Sequence, residues 1–212
     1  VPTGNFGDIY AGYLSKKMGL PIGKLIVATN QNDILHRAIS SGKYIANQVQ
    51  QTISPSMDIQ VASNFERLIY DVLDQNSSKT KDVMNKFKKE KKYIIDDKSI
   101  ASIKNNFISE SLNEKETLEE IKTNYETHGV ILDPHTAVGL GVVNKLGYDK
   151  DCVILSTAHP CKFPDAINQA IQKNEKLPEK LNYILDEKEN FDIIENNLAT
   201  VRNYIKNKIS EN

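Results

Sequence analysis

Two glycines three residues apart, Gly4 and Gly7, lie in the run Thr3-Gly4-Asn5-Phe6-Gly7-Asp8, between a short apolar entry and an amphipathic stretch starting at Ile9. Glycine adopts backbone torsions that a Cβ forbids. Successive amides of such a loop can therefore converge on one point, a nest at the start of a helix. The first-turn amides of a helix lack carbonyl partners, and its dipole favours negative charge there. A phosphate suits that place. Asn5 adds a side-chain amide donor. Asp8 is expected to offer its backbone N–H with its carboxylate turned away, because a carboxylate facing a phosphate repels it. Phe6 is expected to pack beneath the loop. The same Gly-x-x-Gly spacing also suits an ordinary turn and cap, and the residues alone leave that reading open.

Other residues invite chemistry less strongly. Thr157 follows the apolar run Val153–Leu155 and offers one hydroxyl at what reads as a strand end; the alternative is that Ser156 or Thr157 satisfies a turn. The four histidines, His36, His128, His135 and His159, show no i, i+4 pair and no Cys-x-x-Cys partner, so no metal site is expected. His135 and His159 each lie beside a proline at an element boundary, where structural hydrogen bonding is the expectation. Arg37 and Arg67, two of three arginines, fall within amphipathic runs and read as salt-bridge or surface residues, although either could meet a substrate phosphate. No Gly-x-Ser-x-Gly elbow is present.

The elements that must position these groups follow from periodicity. Ile9 to Met18 reads as a helix closed by Gly19 and Pro21, and Lys24–Ala28 as a short, nearly continuous apolar strand of the buried parallel type. Asn32 or Asp33 caps a helix running to about Ser40. Loop, helix, strand and helix in this order are the repeating unit of a parallel α/β fold. Thr52–Ile59 is a polar loop and Asn64–Leu73 a helix. Helical stretches at Lys79–Lys92 and Glu114–His128 bracket the short runs Tyr93–Ile95 and Phe107–Ser109, which suggests a helix-rich insertion. Asp133-Pro134 reads as a cap and first helical residue, with Ala137–Leu146 as the helix body. Cys152–Leu155 reads as a second buried strand, Phe163-Pro164-Asp165 as a helix start, and Lys188–Lys208 as a long polar amphipathic helix. The division expected is an α/β phosphate-binding part over 1–76, the insertion over 77–130, and a return to the α/β domain with a C-terminal helix over 131–212. In such sheets, ligands sit at the C-terminal ends of strands, here Thr3–Asp8, Asn30–Asp33 and Ser156–Pro160.

Composition narrows the class. The 212 residues are enough for a core, and a formal net charge of −1 argues against a nucleic-acid partner held by bulk electrostatics. The basic run Lys86–Lys92 is flanked by acidic residues and reads as a solvated helix end. No apolar run is long enough for a membrane span and no charged-then-apolar leader opens the sequence. Cys152 and Cys161 are too few for a disulfide framework, so a cytoplasmic location is the default expectation.

Thr-Gly-Asn-Phe-Gly-Asp resembles the phosphate-gripping loop of the threonine synthases, pyridoxal-phosphate enzymes of the tryptophan-synthase β-type fold. The likeness continues, in the family's order, through Ala28-Thr-Asn-Gln-Asn-Asp33, Ser54-Pro-Ser-Met-Asp58, Ser63-Asn-Phe-Glu-Arg67, Asp133-Pro-His-Thr-Ala-Val-Gly139 and Ser156-Thr-Ala-His-Pro160. It implies a partial parallel-sheet domain of the type II pyridoxal-phosphate fold. Pyridoxal 5'-phosphate would be held by Gly4, Asn5, Phe6, Gly7 and Asp8, with the Thr157 hydroxyl on the pyridine nitrogen. It further implies a lyase that converts O-phospho-L-homoserine and water to L-threonine and phosphate. That family's Schiff-base lysine lies well upstream of its phosphate loop. No catalytic residue is therefore expected in these residues; the lysine is expected upstream of Val1, in a missing N-terminal part of the same protein, and this piece alone is expected to be inactive. Another type II pyridoxal-phosphate lyase, or a non-catalytic phosphate-binding relative, would share the loop.

Overall fold

The computed structural model describes residues 1–148, 152–173 and 175–210. Val1–Lys176 forms one compact unit and Leu177–Asn212 another. In chain order the first contains α1 (Gly7–Lys17), β1 (Leu25–Thr29), α2 (Ile34–Ser41), β2 (Lys43–Ile45), α3 (Phe65–Val72), α4 (Ser77–Glu90), β3 (Lys92–Ile94), α5 (Asp97–Asn106), β4 (Phe107–Ser111), α6 (Glu114–His128), α7 (Pro134–Lys145) and α8 (Pro164–Ile171). The second holds a 3-10 stretch, Glu179–Leu185, and α9 (Leu198–Ser210). No helix among the described residues is long and apolar enough to cross a membrane.

The apolar run of β1 is buried because it has partners on both sides. β4 pairs with it in parallel, Leu25 opposite Phe107 and Thr29 opposite Ser111. On the other side the opening residues run parallel to it. Pro2 bridges to Ala28, Thr3 N–H donates to the Ala28 carbonyl at 2.8 Å, and Ala28 N–H donates to that of Val1 at 3.1 Å. An antiparallel pair, β2 with β3, lies beside this parallel layer in sequence but not in its ladder.

One core holds these layers together. Phe6, Ile9, Val27, Leu35, Phe65, Leu68, Ile103 and Phe107 belong to it, all nearly inaccessible to solvent. The helix-rich stretch 77–130 is woven into the same core, supplying Phe87, Ile95, Ile103 and Phe107 as well as strand β4. Packing thus crosses the boundary expected at residue 76, and a second cluster that joins Ile121 to Ala137 and Ile167 crosses the one expected at 130. Close approach of α7 depends on its glycines: a Cβ on Gly139 would lie 3.1 Å from the Pro2 ring and 3.2 Å from Ile154, and one on Gly141 would overlap Leu112.

Two expected elements differ. Cys152–Leu155 forms no strand; its residues alternate between half-buried and exposed, with Val153 86% exposed, and no ladder partner occurs among the described residues. An apolar run of this length becomes a strand only where a neighbouring backbone meets its N–H and C=O groups. The long helix expected over 188–208 begins only at Leu198. There the Asn197 side chain accepts from the amides of Ala199 and Thr200, at 2.9 and 3.3 Å, and so sets the start.

Candidate functional site

Because Val1–Thr3 lies alongside β1, the chain leaves the sheet at Gly4 and turns directly into α1 at Gly7. Among the described residues, none of the amides of Gly4, Asn5, Phe6, Gly7 and Asp8 donates a hydrogen bond within the protein. Thr3, one residue earlier, is fully engaged through Ala28. Unused donors at a helix start are the groups an anion satisfies.

The physical role of the glycines differs from the expectation. Neither Gly4 nor Gly7 has a positive φ; the left-handed residue is Phe6, at φ 66° and ψ 16°. A non-glycine residue there costs about 1–3 kcal/mol and persists only when its surroundings hold it. Here the Phe6 ring is wholly buried, 5.2 Å from Phe65 edge-to-face and 5.6 Å from Phe107. Gly4 is needed for close approach instead, since a Cβ there would stand 2.5 Å from the Ser56 carbonyl oxygen. A Cβ on Gly7 would meet only Asn64 Nδ2, at 3.5 Å.

The loop is fastened on its far side by the start of α3. The Asn5 carbonyl accepts from Asn64 N–H and Asn64 Nδ2, both at 3.0 Å. Asn5 Oδ1 accepts from the Ser63 hydroxyl at 3.3 Å, so Nδ2 is left as a donor with no partner among the described residues. Asp8 is exposed in the first turn of α1. Tyr44 supports the Ser63 side: its buried phenol accepts from Ala62 N–H at 2.9 Å, and burial pushes its pKa up to about 12.

A buried network at the start of α7 reaches both Ser56 and Thr157. Asp133 caps the helix, accepting on Oδ1 from His135 N–H at 2.9 Å and from His135 Nδ1 at 3.0 Å. His135 Nε2 accepts from Ser56 N–H at 3.3 Å, which assigns the ring proton to Nδ1. The Thr136 hydroxyl donates to Asp133 Oδ2 and accepts from Thr157 N–H at 3.3 Å. Burial pushes the Asp133 carboxyl upward, but the hydrogen bonds from His135 and Thr136 outweigh it and hold the group below its ordinary 3.8. A depressed folded value stabilises the fold above the unfolded pKa, and that stability is lost as pH falls through the folded one. We therefore expect the urea midpoint gap between wild type and Asp133→Asn to be constant near neutrality and to shrink once pH drops below 3.8. A gap independent of pH would contradict this account.

Thr157 is placed differently from the expectation. With no strand before it, the residue is exposed, its backbone tied to Thr136, and its hydroxyl has no partner among the described residues. The third expected location, Asn30–Asp33, is committed internally. Asn30 Nδ2 donates to Asp58 Oδ1 at 2.8 Å and to Thr52 and Ser54 hydroxyls at 3.0 Å, while Asn32 Nδ2 reaches Asp58 at 3.0 Å. Arg37 is spent on Asp33 at 2.8 Å and the Ile45 carbonyl at 2.8 Å; Arg67 is exposed on α3. His36 contacts the Ser109 hydroxyl at 3.1 Å, and His159 Nδ1 accepts from Cys161 N–H at 3.2 Å. No cluster able to hold a metal ion occurs among the described residues. His135 takes the structural hydrogen-bonding role expected of it, whereas sequence reasoning missed Ser56 and Thr136 as its fellow supports. Asp133-Pro134 was visible as a cap, but nothing local links His135 to a loop 79 residues away.

The family model described as threonine synthase, C-terminal, matches residues 136–205. Threonine synthase of Pseudomonas aeruginosa is 40% identical over 97% of this chain and 44% of its own length. That of Saccharomyces cerevisiae is 40% identical over all of this chain and 46% of its own. Among solved structures, a pyridoxal-phosphate-bound threonine synthase from Brucella melitensis superposes with a TM-score of 0.86 at 40% identity, covering 97% of this chain and 45% of that one. Yeast threonine synthase gives a TM-score of 0.85 at 38% identity, over all of this chain and 47% of that one. The chain spans a little under half the length of the relatives it matches, and across that span, in sequence and in fold, it belongs to the threonine synthase family.

Proposed function

We propose that this chain supplies, within a full-length threonine synthase, the part of the site that grips the phosphate of pyridoxal 5'-phosphate and meets its ring nitrogen. The observation that carries the proposal is the run of amides at Gly4, Asn5, Phe6, Gly7 and Asp8 left without acceptors among the described residues at the start of α1. Gly4, pressed against Ser56, keeps the loop close to its support, and Asn5 Nδ2 adds a further donor. This donor set suits a phosphate. The Thr157 hydroxyl, likewise unengaged among the described residues, suits a pyridine nitrogen, to which it would offer a neutral hydrogen bond in place of a carboxylate's charge.

The bound cofactor supplies an electron sink for proton removal beside the amino group of the substrate. The residues of this chain hold its ends; they neither attack nor take protons. The Schiff-base lysine belongs, on this reading, to residues outside this chain. The reaction is conversion of O-phospho-L-homoserine and water to L-threonine and phosphate, in the cytoplasm, a location supported by two unpaired cysteines.

The test is phosphate release from O-phospho-L-homoserine in the presence of pyridoxal phosphate. The full-length protein should turn over, should prefer this substrate to serine, and should lose activity with its upstream lysine. The 212-residue polypeptide by itself should release none. Turnover by that polypeptide would overturn the division of labour, and inactivity of the full-length protein would overturn the assignment.

A further inference from the structure

Thr157 has no regular element to hold it. The run before it forms no strand, Val153 and Leu155 are exposed, and the residue itself faces solvent. What fixes its backbone is the bond from its N–H to Thr136 Oγ1 at 3.3 Å. Thr136 is nearly buried on the first turn of α7, so this anchor is as fixed as the helix.

The polarity of that anchor is also fixed. An ionised carboxylate only accepts, so the single proton of the Thr136 hydroxyl goes to Asp133 Oδ2 and a lone pair is left for the Thr157 N–H. The second oxygen of Asp133 is held by His135, whose far nitrogen holds Ser56, whose carbonyl abuts Gly4. Both ends of the proposed cofactor site are thus referred to one buried carboxylate. We propose that Thr136, oriented by Asp133, is a positioning residue that holds Thr157 at the ring nitrogen. It touches no reacting atom. This deepens the function proposed above and rests on the assignment of Thr157 made there.

The experiment uses the apo form of the full-length protein, titrated separately with pyridoxal phosphate and with its 1-deaza analogue, in which carbon replaces the ring nitrogen. One neutral hydrogen bond should give the wild type a preference for pyridoxal phosphate of about three- to tenfold. Thr136→Val should lose that preference, and Thr136→Ser, which keeps the hydroxyl, should restore it. A merely structural role for Thr136 would weaken both ligands alike and leave their ratio intact. Should the valine variant fail to fold, Thr136→Ala removes the same hydroxyl without the second methyl, and its ratio is read instead. A wild type that binds both ligands equally would refute the assignment of Thr157 itself. A wild-type preference retained in full by the hydroxyl-less variant would overturn the positioning role alone.

Discussion

Phe6→Ala should destabilise the Val1–Lys176 unit by about 3–5 kcal/mol, the usual range for emptying a fully buried phenylalanine site. The ring is wholly inaccessible and lies against Phe65 and Phe107, residues brought in from α3 and β4. Its removal leaves a cavity where the opening loop, a helix and a strand meet. The backbone at position 6 would remain left-handed, but without the ring that offsets the strain. Equilibrium urea unfolding followed by far-ultraviolet circular dichroism measures the loss. Phe6→Leu, which keeps most of the volume, should lose markedly less. Equal midpoints for wild type and the alanine variant would mean that this ring is not what anchors the loop.

Gly4→Ala should act on ligand affinity. The added methyl carbon would stand 2.5 Å from the Ser56 carbonyl oxygen, and both partners are backbone-held, so one loop must move. Ser56 is tied to His135 and Gly4 follows Thr3, which is hydrogen-bonded to β1, so neither yields freely. Overpacking of this kind costs about 1–3 kcal/mol. If the cost falls on the bound state, the affinity of the full-length protein for pyridoxal phosphate drops roughly ten- to a hundredfold. Gly7→Ala is the control. Its methyl meets only Asn64 Nδ2, at an ordinary 3.5 Å, and alanine is the better helix former. Affinity unchanged in Gly4→Ala would separate the phosphate from this loop.

These two residues also show what the sequence made legible. The loop, the helix after it, strand β1 and the Asp133 cap were all readable, because each rests on local pattern: spacing, an apolar run, a capping side chain. The role of the glycines was misread. Glycine suggests unusual torsions, yet the unusual torsion is carried by Phe6, and Gly4 serves a contact with Ser56, far away in sequence. The same limit hid β4. Phe107–Ser109 read as a short run inside a helical stretch, and the parallel register of Phe107–Ser111 with Leu25–Thr29 comes from tertiary packing that no window of neighbouring residues contains. Cys152–Leu155 shows the converse, an apolar run with strand-like composition that lacks a partner among the described residues. Thr157 was singled out for its hydroxyl, but its support from Thr136 was not legible, since that bond depends on how α7 is seated.

The buried carboxylate at the head of α7 has a kinetic consequence. The contacts that shape the loop from Gly4 to Gly7 are closed late in any ordering by sequence distance: Thr3 to Ala28, Gly4 to Ser56, and Ser56 to His135 across 79 residues. Loop-closure entropy disfavours forming such contacts first, so helices with local contacts form before them. On the function proposed above, competence to bind the cofactor is therefore expected to come late on the folding route. A chain that has its helices but has not yet seated α7 would look folded to circular dichroism while lacking the loop geometry that the proposed phosphate grip requires.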